Sequence, residues 1–145
     1  MLRVKRTERL TISWKGARSF TGTTEDGFSI DIGNAHEDTP KPGPSAMELV
    51  LMGAGTCSAY DVVSILEKGR QSVTDVSVSL EADRADTPPK VFTRIHMHFT
   101  VTGHAVDPGR VERAISLSVE KYCSATAMLE KTATVTHSYI VLDAA

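Results

Sequence analysis

The sequence is short of cysteine, of net charge and of long uncharged apolar runs, and each shortage excludes something. Two cysteines stand in 145 residues, 66 positions apart, so there is no CxxC motif. A formal net charge of −2 leaves no basic footprint, which argues against nucleic acid as a partner. The basic start MLRVKRTERL lacks a following apolar run, so no export signal is expected. In the most apolar segment the uncharged run is only Leu49–Tyr60, closed by Asp61, too short to cross a bilayer. No membrane partner is therefore expected. Internal repeats and low-complexity tracts are absent as well. With no export signal, the two cysteines point to a reducing compartment, the cytoplasm. Paired thiols there are more often redox or metal groups than staples.

What is present is organised around Pro44–Gly69, PSAMELVLMGAGTCSAYDVVSILEKG, which reads as one long helix. Ser45 and Glu48 form a capping box at its start. Lys68 and Gly69 close it, Gly69 as the residue that accepts a left-handed backbone. About 24 residues make a rod of roughly 36 Å, long enough to run through the middle of a domain this size. It is apolar nearly all round, and such a helix is buried. Gly53 and Gly55 each cost about 1 kcal/mol inside a helix, and close approach of a second helix is the expected compensation.

The remaining chain predicts strands and two further helices. Leu10, Ile12 and Trp14 alternate with polar residues, as do Phe28, Ile30 and Ile32, and both runs read as half-buried strands. Asp26-Gly27 is a hairpin turn, with a strand near Ala17–Thr23 before it. After the long helix, Val76–Leu80 and Ile95–Val101 alternate as a long-looped antiparallel pair. Asp107-Pro108 opens a second helix whose stripe is Val111, Ala114, Ile115, Ser118, Val119 and Tyr122. Ser124 caps a short third helix, and Val135–Val141 forms a last strand. The order β-β-β-α-β-β-α-α-β suggests an α+β fold in a single domain over 1–145. Its parts are N-terminal strands in 1–33, the central helix in 44–69 and a strand pair in 73–102. Helices in 107–131 and a last strand in 134–143 complete it. The N-terminal ribbon is small and is expected to pair with another sheet, that of a second subunit being one candidate.

The two cysteines differ in setting. Cys57 sits mid-helix in GAGTCSAY, where a free cysteine usually just packs. Cys123 lies between two helices, where the amides of Ser124, Ala125 and Thr126 are expected to lower its pKa. A buried helix and a helix junction can bring two such thiols together as a peroxide-reactive and a resolving pair. His96 and His98 share the outward face of a strand, with no cysteine or carboxylate placed to complete a metal set, so they read as solvent-facing. His36, His104 and His137 show no shared spacing. No metal and no cofactor are implied.

SAMELVLMGAGTCSAYDVV, followed by SVEKYCSATAMLEK, resembles the OsmC/Ohr family, closest to its YhfA-like branch, which also reads VVSILEKGRQSV almost unchanged. The match runs from about Phe28 to the C-terminus. The resemblance implies an intertwined homodimer, with two long core helices wrapped by sheets built from both chains. It implies thiol-dependent reduction of organic hydroperoxides in a stress or detoxification role, with an external dithiol as reductant. Cys57 would then be the peroxidatic cysteine, Cys123 the resolving one, and Arg18 in KGARSF the arginine that favours the thiolate. The family's hydroperoxide reductases place a glutamate ten residues before the peroxidatic cysteine, where this chain has Met47. Glu48 does not replace it, because nine residues at about 100° each put it opposite Cys57 on a straight helix. The alternative is a non-catalytic member that binds a small hydrophobic ligand or senses oxidation. Met47 favours that alternative, and the presence of both cysteines opposes it.

Overall fold

A computed structural model describes residues 7–145. The element order is the expected one: strands β1 (Leu10–Trp14), β2 (Ser19–Thr24) and β3 (Ser29–Gly33), helix α1 (Ala46–Lys68), strands β4 (Ser72–Arg84) and β5 (Phe92–His104), helix α2 (Pro108–Leu117), helix α3 (Ser124–Leu129) and strand β6 (Thr134–Asp143). The chain divides into two compact units at Val50/Leu51.

The N-terminal unit is an antiparallel sheet in the order β1-β2-β3. Gly27 takes φ 95° at the Asp26-Gly27 hairpin, a conformation few other residues adopt without strain. Ile12 and Ile30 lie opposite Gly22 on either side, so Leu10, Ile12, Trp14, Ile30 and Ile32 share one apolar face. The expectation of a half-buried β1 is corrected: all five of its residues are exposed, Trp14 at 69%. The alternation is real, but nothing within the unit covers that face.

The capping box forms as expected. Glu48 N–H donates to Ser45 Oγ at 3.2 Å, and Ser45 N–H donates to a Glu48 carboxylate oxygen at 3.0 Å. Lys41 joins by an ion pair to the same carboxylate. At the other end the left-handed residue is Arg70, φ 57°, and not Gly69. The chain turns one residue later because Arg70 N–H still reaches Glu67 O and Gln71 N–H reaches Leu66 O.

The second unit is built on a mixed sheet, β4-β5-β6, with β4 antiparallel and β6 parallel to β5. Ile95, Met97, Phe99 and Val101 on one face of β5 are fully buried. They share the core with Val62 and Leu66 of α1 and with Val111, Ala114 and Ile115 of α2, also buried. Apart from Ala114, each such side chain contributes about 1.5–3 kcal/mol.

Two expectations about α1 are corrected here. The helix is not buried all round: Ala54, Gly55, Ser58, Val62 and Leu66 form a single buried stripe at helical spacing, while Met52 and Tyr60 are exposed, Tyr60 at 74%. One chain has too few elements to cover the rest. The glycines do not meet a second helix either. A Cβ on Gly55 would lie 2.8 Å from Leu80 Cδ1, so the close approach is to strand β4, and one on Gly53 would meet open space. By length and composition alone α1 is apolar enough to cross a membrane. Its polar residues Ser58 and Asp61 instead join hydrogen bonds to the end of α2.

Candidate functional site

Three elements of the second unit converge on one site. The first is α1, which presents Cys57 and, one turn later, Asp61 on the same face. The second is a π-helical turn, Ser118–Tyr122, that continues α2. Cys123 N–H donates to Ser118 O at 2.7 Å, an i→i−5 bond that adds one residue to the turn. The added residue rotates the helix face. Ser118 and Val119 stay buried as the stripe predicts, but Tyr122 turns outward at 52% exposure and Cys123 takes the inward position at 3%.

The third element is α3. Its cap is Cys123 itself rather than the expected Ser124: the sulfur accepts from Thr126 N–H at 3.4 Å. Thr126 Oγ1 also donates to it, at 3.0 Å. The expectation that free amides lower the Cys123 pKa is corrected. Burial pushes this thiol up, and the two Thr126 bonds only oppose that in part, because desolvation of a thiolate outweighs them; the Cys57 side chain beside it raises it further.

Both cysteines are free thiols, Cys57 half-buried and Cys123 buried. The two sulfurs and a carboxylate oxygen of Asp61 all lie within 4.8 Å of one another. Ser118 Oγ donates to Asp61 Oδ2 at 2.9 Å, and Ser58 Oγ lies 2.9 Å from Ser118 Oγ. A serine hydroxyl has one proton, so Ser58 donates to Ser118 and Ser118 to Asp61. This chain of hydroxyls fixes the carboxylate beside the thiols.

Asp61 is the residue that sequence reasoning missed. There it served only to interrupt an apolar run, although its i+4 spacing from Cys57 already put both on one helix face. Arg18 sits in the exposed turn before β2, off the strand, where Nη1 donates to Ala17 O at 3.2 Å. Glu48 is occupied by its cap and by Lys41, which with the Ser45 bonds lower its pKa to about 2.

The histidine pair is more engaged than expected. His96 and His98 are half-buried. His96 bonds Thr136 Oγ1 at 2.7 Å and Ser138 Oγ at 2.9 Å, and His98 bonds Ser138 Oγ at 2.7 Å.

Comparison with known proteins gives a consistent result. The model of the family described as OsmC-like protein matches residues 36–138. The chain is 47% identical over 134 residues to protein YhfA of Escherichia coli (strain K12), covering 92% of this chain and 97% of that one. A hypothetical protein from Aquifex aeolicus VF5 superposes with a TM-score of 0.86 at 29% identity, covering 97% of this chain and 100% of that one. The fold also matches an organic hydroperoxide resistance protein OsmC from Legionella pneumophila, with a TM-score of 0.68 at 18% identity, covering 98% and 100%. Sequence motif, α+β topology and paired thiols agree, and the chain belongs to the OsmC-like family.

Proposed function

We propose that this protein reduces organic hydroperoxides with its two thiols, in a cycle restored by an external dithiol. One observation carries the reading: two free thiols, distant in sequence, lie within 4.8 Å of one another. Family membership supports it, since the Legionella relative is described as an organic hydroperoxide resistance protein. The difference in exposure supports an order for the two. Peroxide meets half-buried Cys57 first, and buried Cys123 acts second.

In the first step the Cys57 thiolate attacks the outer peroxide oxygen. An S–O bond forms, the O–O bond breaks, and the alkoxide takes up a proton and leaves as the alcohol. The Cys57 sulfur gives up two electrons and becomes a sulfenic acid. The Cys123 sulfur then attacks it. An S–S bond forms, the S–O bond breaks, and water leaves with the Cys123 proton. The external dithiol reduces the disulfide by exchange.

Arg18 is the proposed cation that favours the Cys57 thiolate and steadies the leaving alkoxide. That role rests on the family resemblance. A homodimer in the cytoplasm completes the proposal. The exposed apolar face of β1 and β3 and the exposed Met52 and Tyr60 of α1 are surfaces a second copy would cover. Two free cysteines suit a reducing compartment.

The test gives cumene hydroperoxide to pre-reduced protein from which the dithiol has been removed. Cys57→Ser abolishes peroxide consumption. Cys123→Ser consumes about one equivalent and then stalls as sulfenic acid, open to overoxidation. Arg18→Ala slows the first step without preventing disulfide formation. If the wild type forms no Cys57–Cys123 disulfide under excess hydroperoxide, the reading fails.

A further inference from the structure

We propose that Cys57, Asp61 and Cys123 also form a site for a soft divalent cation of the zinc type, loaded only while both thiols are reduced. The three ligand atoms lie within 4.8 Å of one another. In a tetrahedral zinc site, with Zn–S near 2.3 Å and Zn–O near 2.1 Å, ligand atoms stand about 3.4–3.8 Å apart. Closing the difference takes side-chain movements of at most about 1.4 Å, and two of the three ligands share one helix face. Two thiolates and one carboxylate favour zinc or cobalt over magnesium or calcium, which take all-oxygen sets. Three protein ligands leave a fourth position for water.

The surroundings fit a ligand set. Ser118 Oγ donates to Asp61 at 2.9 Å and is itself held by Ser58. Thr126 donates to Cys123 from both its N–H and its hydroxyl. Hydrogen bonds of this kind orient metal ligands and are commonly worth a factor of about 10–100 in affinity. Ser58, Ser118 and Thr126 are all fully buried, so the supporting shell is rigid. The histidine pair on β5 is the weaker metal candidate, because its ring nitrogens already meet Thr136 and Ser138 hydroxyls. Among the described residues no third ligand of the His, Cys, Asp or Glu type joins it.

Binding is an exchange of protons for metal with no change of oxidation state. Each thiol loses its proton to solvent, and the cation takes the two sulfurs and the carboxylate. Metal and disulfide then compete for the same two sulfurs. On the peroxidase reading, the cation masks Cys57 until it is removed, and oxidation of the pair releases it.

The experiment titrates reduced, metal-free protein with Co2+, followed by the near-ultraviolet thiolate-to-cobalt absorption, and then displaces it with Zn2+. One cobalt per chain is expected. Cys57→Ser, Cys123→Ser and Asp61→Asn should each weaken binding by at least about tenfold. A His96→Gln/His98→Gln double variant should bind as the wild type does. In unmutated protein, one equivalent of Zn2+ should protect both thiols from iodoacetamide, counted by mass, so the test survives if a cysteine variant fails to fold. Absence of the absorption at saturating Co2+, its survival in the cysteine variants with undiminished affinity, its loss in the histidine variant, or unprotected thiols would each overturn the site. The peroxidase reading fails separately: no disulfide with hydroperoxide would defeat it and leave the cobalt titration unchanged.

Discussion

Thr126 donates twice to the Cys123 sulfur, from its backbone N–H at 3.4 Å and its hydroxyl at 3.0 Å. The hydroxyl bond favours the charged sulfur, the form in which Cys123 attacks the oxidised Cys57. Thr126→Val keeps shape and N–H and removes only the hydroxyl. A hydrogen bond to a charged group is worth about 1.5–3 kcal/mol, so the Cys57 sulfenic acid should live about tenfold longer or more. Trapping it with a dimedone-type probe over time measures that lifetime. An unchanged lifetime would show that the hydroxyl takes no part.

Gly55 stands where α1 comes up against Leu80 of β4. A Cβ there stands 2.8 Å from Leu80 Cδ1, so Leu80 must shift, and a branched side chain demands a larger shift than alanine. Gly55→Val should cost about 1–3 kcal/mol of stability by overpacking. Urea unfolding at constant slope checks it, and a shift within error would mean that the helix and strand can part freely.

Glu48 titrates abnormally because Lys41 and the Ser45 bonds hold its charge. Its pKa falls from 4.5 to about 2 in the folded chain. A depressed carboxyl stabilises the fold above its unfolded value and loses that contribution as pH falls through the folded one. The start of α1 should therefore loosen between about pH 4.5 and pH 2, seen as a fall in protection of the Glu48 and Leu49 amides relative to their intrinsic exchange. Glu48→Gln keeps the cap bond and should remove this step. It should also leave Cys57 reactivity within about tenfold, or roughly 1.4 kcal/mol. A larger loss would place Glu48 in the chemistry.

The apolar face of the first sheet should be the place where a second copy attaches. Sedimentation should give one species near twice 15.7 kDa, with an interface above about 2,000 Å² in total. Ile12, 56% exposed, is central to that face. Ile12→Asp should shift the population to monomer or to aggregate. A wild type that is a clean, folded monomer would end the dimer proposal.

Much of this protein was determined by its sequence alone. The capping box of Ser45 and Glu48, the Asp107 cap, the Asp26-Gly27 hairpin and the order of elements depend on residues within one turn of each other, and periodicity reports them directly. The two cysteine contexts were likewise readable, because the residues that carry the family resemblance are contiguous. Tertiary structure decided the rest. Whether Gly55 faces a helix or Leu80, and whether α1 is buried around or along one stripe, depend on which distant elements pack against it. The π turn that swaps Tyr122 for Cys123 at the buried position breaks the 3.6-residue rule from which the stripe was read. Asp61 became part of the site only when Ser118, 57 residues away, was brought to its carboxylate. A side chain's spacing fixes the face it occupies, but only packing fixes what stands opposite.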